Sequence, residues 1–495
     1  MEVVKFFLRR RRANMNSRRI LSLILASTIT STALIGCFEN AADHESDDSV
    51  PSASSAETYP AEESDNYIHD SLDEQDFEGY KFRVLSNSDG EKYLFAEEVT
   101  GDPLNDALNA TKLYIEDRFN IELSTLEGID FDQSYEIVAQ TAAADDDAYD
   151  ILIGHDKKTF AAGQNGYLYN IYDIETFDFD QPWWPDNAAH ALSIAGKLFA
   201  VSNYMSYAGL DMTCAVMINK DLAETYNIAI PYDSVRDGSW TYDTFYTYLE
   251  DTYQDIDGDG KIGEDDIASL TSGRHTWYCM QEAVDIPIYR KDADGWLYMD
   301  IDVDKIEKYV EWLRKFTDTS HYYSTEDDGM GSKMFGKGNA LFVYCDIGYA
   351  YKEFRFSDTK YGFLSTPKFD EYQADYINCC TDKPWAVPVT ADSEQIKIIG
   401  YVCEAMSCYN YNKVIPAYFE VAMKARVADA PDDSEMLQII RDTRTIGLAY
   451  AYELNLNNIF GDVGSNGSVA SYIARYQKMS AKYLDVFYKN FVSLE

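Results

Sequence analysis

Short apolar runs alternate with amphipathic stretches through most of the chain. Lys81-Phe82-Arg83-Val84-Leu85 alternates polar and apolar side chains and runs into Ser86-Asn87-Ser88-Asp89-Gly90, which predicts a strand closed by a turn. Leu104 to Phe119 predicts a helix. Tyr149-Asp150-Ile151-Leu152-Ile153-Gly154 predicts a second strand with a glycine stop, and Leu198-Phe199-Ala200-Val201 a third. Ala215-Val216-Met217-Ile218-Asn219 predicts a fourth, followed by a helix from Lys220 to Tyr226. From Asp304 to Phe316, Ile306, Tyr309, Val310, Leu313 and Phe316 fall on one helical face. Ala340-Leu341-Phe342-Val343-Tyr344 predicts another buried strand, and the last 80 or so residues are mostly helical. Strands separated by helices mean an α/β body, with ligands expected at the strand C-termini. At 495 residues the chain has room for about two or three folded units.

The N-terminus breaks this pattern. Residues 1–36 hold one acid and seven bases ahead of an apolar run from Ile20 to Ile35, too short for a comfortable membrane span, so they predict a signal peptide. Met15 offers a second start. The run closes in Leu34-Ile35-Gly36-Cys37, which resembles the lipobox of bacterial lipoproteins. That resemblance implies a lipid on the Cys37 sulfur and a protein held on the extracellular face of a Gram-positive membrane by the anchor alone. Residues 37–78 then read as an acidic disordered tether: after Cys37 they carry fourteen Asp and Glu and no Lys or Arg. Such a segment cannot bury enough apolar surface to offset its chain entropy, so the folded body is expected to start near Phe77.

Charge narrows the partners. With 85 Asp+Glu against 42 Lys+Arg, the formal net is −43. Nucleic-acid binding, which needs a basic footprint, is excluded. Seven cysteines follow Cys37 (Cys214, Cys279, Cys345, Cys379, Cys380, Cys403 and Cys408), an odd number for a disulfide framework. Most lie in apolar runs, so buried free thiols are expected.

One local motif is sharp. Residues 255–266 place Asp255, Asp257, Asp259 and Asp266 at loop positions 1, 3, 5 and 12, Gly260 at position 6 and Ile262 at position 8. This is the spacing of an EF-hand calcium loop, with the backbone carbonyl of Lys261 at position 7 and Asp in place of the usual Glu at position 12. Hard oxygen ligands so spaced wrap one calcium ion, which a single loop would use as a structural clip. The alternative is an acidic surface turn.

No GxSxG, HExxH or Walker loop is present, and no GxGxxG opens a helix after a strand, so no enzyme is predicted. Aromatics are abundant, with 40 Tyr, 24 Phe and 7 Trp. Tyr and Trp pair a flat apolar face with a polar edge, which suits stacking on sugar rings. Candidates near predicted loop or strand ends are Trp183, Trp184, Tyr204, Tyr207, Trp277, Tyr349 and Trp385, each with core packing as the alternative. Trp240 reads as structural, because Ser239 or Thr241 caps a helix there. Asp156, Asn203, Asp211 and Asp346 lie just past predicted strands, where they suit hydroxyl binding or simple capping.

Val216-Met217-Ile218-Asn219-Lys220-Asp221-Leu222, with Tyr226-Asn227-Ile228, Pro231-Tyr232-Asp233 and Asp237-Gly238-Ser239-Trp240-Thr241, resembles the extracellular solute-binding proteins of family 1. Met334-Phe335-Gly336-Lys337-Gly338-Asn339-Ala340-Leu341 is similar to a later family segment. The resemblance runs from about residue 79 to 490 and implies a two-lobed periplasmic-binding-protein-like α/β fold of class II, like maltose-binding protein, with a hinge between the lobes. It implies lobe one at 79–207 plus 377–412 and lobe two at 208–376 plus 413–495. It also implies a monomer that passes a carbohydrate, an oligosaccharide above all, to ABC transporter permease subunits. A surface glycoside hydrolase and a peptide or polyamine receptor on the same fold stand as alternatives.

Overall fold

Burial along Tyr80–Asn87 alternates at first and then becomes continuous, as in a strand that enters the centre of a sheet. The computed structural model describes residues 66–492 apart from 88–89, 130, 186, 188–189, 251, 274–275, 318–321, 326–327, 382, 425–430, 457–458 and 464–466. The signal-peptide segment, Cys37 and most of the tether lie outside the described residues.

In chain order the elements used below are β1 (Tyr80–Asn87), α1 (Pro103–Phe119), β2 (Ile121–Ile129), α2 (Phe131–Ala144), β3 (Ile151–Ile153) and α3 (Asp156–Gln164). Then come α4 (Ala208–Asp211), β4 (Cys214–Asn219), α5 (Lys220–Thr225), β5 (Ala268–Gly273) and α6 (Thr276–Ala283). A hairpin β6 (Tyr289–Lys291) and β7 (Leu297–Met299) leads to α7 (Val303–Thr317), β8 (Tyr322–Thr325), α8 (Asp328–Gly336), β9 (Ala340–Asp346) and α9 (Gly348–Lys352). The chain finishes with β10 (Tyr361–Leu364), β11 (Asn378–Cys379), β12 (Trp385–Ala386), α10 (Ser393–Lys424), α11 (Pro431–Asp442), β13 (Arg444–Thr445), α12 (Leu448–Ala451) and α13 (Val469–Val492).

The strands form two main sheets. The first has the order β12-β3-β1-β2, with β1 parallel to β2 and β3, and β12 antiparallel to β3. Helix α1 starts at Pro103 behind the cap Asp102, whose carboxylate accepts from the Leu104 and Asn105 amides. It ends at Asn120 in the left-handed region, φ 48°. α1 packs along α10. Trp183 and Trp184 are buried beside α10, and both indole N–H groups donate to Glu404, at 2.8 and 2.9 Å.

The second sheet has the order β10-β4-β9-β5-β8, parallel for β9, β5 and β8 and antiparallel for β10, β4 and β9. β4 is buried on both faces, as its unbroken apolar run requires. Asn219 ends β4 and caps α5 by accepting the Asp221 and Leu222 amides. Thr241 accepts the Thr244 amide, and the neighbouring Trp240 is buried with its indole donating to the Ser365 carbonyl at 2.8 Å.

The connections between the sheets run side by side. Thr213 bridges to Cys380, and β11 pairs in parallel with β13. The Asn378 side chain ties them together, accepting from the Thr366 amide and donating to the Ser365 and Thr443 hydroxyls. Cys214, Cys279, Cys345, Cys379, Cys380, Cys403 and Cys408 are all buried, and none of them is in a disulfide.

Two expectations need correction. Leu198–Val201 is not a strand; only Val201 forms a bridge, to Trp385. The amide of Leu198 is taken by the Asn170 side chain and its carbonyl by the Ile171 amide, so the ladder has no groups left there. The body also begins before Phe77. Asp70 pairs with Arg118 at 2.7 Å, and the Ile68 amide and carbonyl both bond Asn412, which secures that acidic stretch on α1 and α10.

Candidate functional site

Parallel strands place their following loops at one end of each sheet, where ligands of open α/β folds bind. Here those segments are 90–102 after β1, 154–157 after β3, the start of α6 after β5, and α9 after β9. They build two groups of side chains.

The first group lines a pocket of about 740 Å³. Its walls include Lys92, Tyr93, Lys112, Tyr207, Tyr351 and Lys352, drawn from the segment after β1, α1, the first connection between sheets and α9. Tyr93 packs on Tyr207 with ring centroids 4.9 Å apart, and Tyr207 on Tyr418 at 5.4 Å. Behind them lies Asp211, fully buried, which accepts from the Lys352 ammonium and from the Tyr93 hydroxyl at 3.2 Å. Gly348 makes this approach feasible. A Cβ there would lie 2.3 Å from Asp211 Oδ1.

The second group starts at Asp156, the first residue of α3 and also fully buried. Its Oδ1 accepts the Lys157 amide and lies 2.7 Å from His155 Nδ1. Its Oδ2 has no hydrogen-bond partner among the described residues. A buried acceptor left open costs about 1–3 kcal/mol, so one further donor at this atom would be stabilising. Next to it, the Lys157 ammonium sits 4.3 Å from the centroid of the Tyr450 ring. Tyr450 stacks on Tyr278 at 4.2 Å and 5°. Burial holds both phenols well above their ordinary range, so they are neutral donors. Glu282, one turn beyond Tyr278 on α6, is pushed up to about 7 by burial and then by the Asp285 charge.

The structure distributes the candidates from the sequence unevenly. Tyr207 lines the pocket, Asp211 braces one of its lysines, and Asp156 heads the second group. Trp183, Trp184 and Trp385 are core side chains, and the Trp385 indole donates to Asn203 at 2.9 Å. Asn203 is also tied to Ser407 and to the Met205 amide. Tyr204 is buried beneath the Arg444 guanidinium, with 5.4 Å between its ring centroid and the guanidinium carbon. Asp346 accepts from the Cys214 thiol, and Tyr349 packs near Phe354. The Trp277 side chain lies outside the described residues. Tyr93, Lys157, Tyr450 and Lys352 went unread: none stands out locally, and only the fold assembles them.

Away from both groups, the 255–266 loop is closed by its own carboxylates. Asp255, Asp257 and Asp259 bring ligand oxygens within 4.8 Å of one another. Asp255 accepts the Gly258 and Gly260 amides, and buried Asp266 accepts those of Ile256 and Gly263. The Lys261 carbonyl accepts from the Tyr253 hydroxyl at 3.3 Å.

The family model of the bacterial extracellular solute-binding proteins matches residues 114–415. No curated protein sequence matches the chain. Among solved structures, the maltose/maltodextrin-binding domain of Bdellovibrio bacteriovorus bound to maltotriose has a TM-score of 0.54 at 12% identity, covering 81% of this chain and 99% of that one. An ABC substrate-binding protein of Listeria monocytogenes in complex with cycloalternan scores 0.52 at 12% identity, with 82% and 99% covered. UgpB of Mycobacterium tuberculosis, in complex with glycerophosphocholine, scores 0.50 at 15% identity, with 84% and 99% covered. At these identities the likeness is one of fold, two α/β lobes about a cleft.

Proposed function

Because the chain belongs to the bacterial extracellular solute-binding proteins, we propose that it captures a carbohydrate between its lobes and hands it to an ABC importer. The observation that carries this reading is the buried Asp156, with one carboxylate oxygen unpartnered, beside the Tyr278–Tyr450 stack. Sugar hydroxyls donate to such an oxygen, while ring C–H faces lie on tyrosine. A site built around an unpaired buried acceptor discriminates strongly against ligands that lack the matching donor. The lysines of the pocket add donors for ring and hydroxyl oxygens. A pocket of about 740 Å³ suits an oligosaccharide better than a single sugar. Fold neighbours that hold cycloalternan and maltotriose support this class.

Capture proceeds by hinge closure about the side-by-side connections at Thr213, Cys380 and β13. Nothing in this step breaks a bond, so the protein is a receptor and not an enzyme. Cys37 carries a lipid and holds the monomeric body at the extracellular face of a Gram-positive membrane, next to its permease. Calcium, held by Asp255, Asp257, Asp259, Asp266 and the Lys261 carbonyl, clips the loop beside β5 as a structural ion.

Calorimetry against a panel of neutral oligosaccharides, uronate-containing oligosaccharides, polyamines, short peptides and glycerophosphodiesters tests the reading. Binding confined to oligosaccharides, with no release of reducing sugar, is the expected result. Turnover of any glycan, or binding of peptides or polyamines alone, overturns it.

A further inference from the structure

At the rim of the pocket one charged contact joins the two lobes. Asp102 belongs to lobe one, where it caps α1. Arg355 belongs to lobe two, in the turn after α9, and its neighbour Phe354 packs on Phe335 of α8 and Tyr361 of β10 at 5.0 and 5.6 Å. Arg355 Nη1 donates to Asp102 Oδ2 at 2.7 Å, and the Tyr351 hydroxyl donates to Asp102 Oδ1 at 3.2 Å. The guanidinium carbon lies 4.0 Å from the Tyr351 ring centroid and 4.6 Å from that of Phe356. The two charged side chains are only 25% and 22% exposed, so the contact is shielded more than an ordinary surface pair.

We propose that Asp102, Tyr351 and Arg355 form a latch that holds the lobes together at this rim of the cleft. Three features distinguish it from a pair that merely supports folding. Its partners are 253 residues apart and sit on different lobes. Asp102 is fixed by the α1 amides, and the turn carrying Arg355 is fixed by Phe354, so neither lobe needs the contact to fold. Finally, Tyr351 also lines the pocket, so the latch shares a side chain with the ligand site. Burial by itself would raise the Asp102 pKa. The Arg355 bond and the amide donors outweigh it, keeping the carboxyl below its ordinary range and the pair charged.

The inference rests on the two-lobed binding reading but not on the identity of the ligand, so its test uses ligand-free protein. Small-angle scattering of the full chain would compare wild type with Asp102→Asn, which keeps the cap, with Arg355→Met, and with the double variant. Each single variant is expected to raise the open-to-closed ratio roughly tenfold, the effect of one charge-assisted bond, and to enlarge the radius of gyration. The double variant should shift it no further, and high salt should open wild type while leaving the variants unchanged. If a charged variant fails to fold, Tyr351→Phe replaces it and should shift the radius the same way by less. Unchanged radii in the folded single variants, or in Tyr351→Phe, overturn the latch. So do effects that add in the double variant. Retained oligosaccharide binding alongside that result would leave the proposed function standing.

Discussion

Glu404 gives the most quantitative test of how the first lobe is built. Its carboxyl is 2% exposed on α10 and accepts both indole N–H groups of Trp183 and Trp184. Burial pushes its pKa from 4.5 up to about 7, although the two indole bonds pull the other way. Between those values the native state holds a proton that the unfolded chain has released. Stability therefore falls as pH rises from 4.5 to 7 and stays lower above it. A shift of this size corresponds to about 3 kcal/mol at about 1.4 kcal/mol per pKa unit. Glu404→Gln removes the titration but leaves a single carbonyl oxygen for two donors. At pH 5 it should cost about 1–2 kcal/mol, the worth of one buried bond. At pH 8 it should match or exceed wild type, which then carries a buried charge. Denaturant unfolding of both proteins at pH 5, 6, 7 and 8 reads the difference directly, and other titrating groups cancel in the comparison. A gap between the two proteins that stays constant with pH refutes the reasoning, as does one in which the variant loses ground as pH rises.

Other expectations concern the site and the loop. Gly348→Ala drives a Cβ to within 2.3 Å of Asp211, so thermal melting should show a loss of about 1–3 kcal/mol, while Gly101→Ala, with no atom within 4 Å, loses only through its positive φ. Asp156→Asn keeps shape but weakens the open acceptor; calorimetry with the best oligosaccharide should show affinity reduced by about tenfold to a hundredfold and the melting temperature little changed. Chelation with EDTA should lower the melting temperature of wild type by several degrees and leave Asp255→Ala unaffected. An equal response of the two proteins would remove calcium from the loop.

What the sequence reveals depends on the distance over which an interaction is made. The 255–266 loop spans twelve residues, so its carboxylate spacing can be read directly, and the same holds for the Asn219 and Thr241 caps. Apolar runs announce β1, β3, β4 and β9 because burial on two faces demands them. The run at Leu198–Val201 misleads because its amide and carbonyl answer to Asn170 and Ile171, which composition does not record. Aromatics mislead for the same reason. Trp183 and Trp184 look like binding-loop residues between two prolines, yet the acceptor that settles them in the core is Glu404, about 220 residues away.

The site shows the same division. Asp156 can be found from local rules, since it is the first helical residue after a short apolar strand and a glycine. Its meaning cannot, because a carboxylate at a helix start reads locally as no more than a partner for helix amides. Only the folded structure shows one oxygen without a partner among the described residues, in a carboxylate whose charge acts on Tyr450, which stacks on Tyr278. Lys352 has no local signature at all: its ammonium is aimed by Asp211, 141 residues earlier, and that pairing requires a glycine at 348 to let the chains approach. In a chain with twice as many acids as bases, a lysine in a cleft must be kept from collapsing onto the nearest exposed carboxylate. Burying Asp211 behind the pocket does this, because it fixes where the cation points while still leaving it able to donate to a ligand. On the function proposed above, specificity in this cleft depends as much on the buried acids that orient its cations as on the rings that line it.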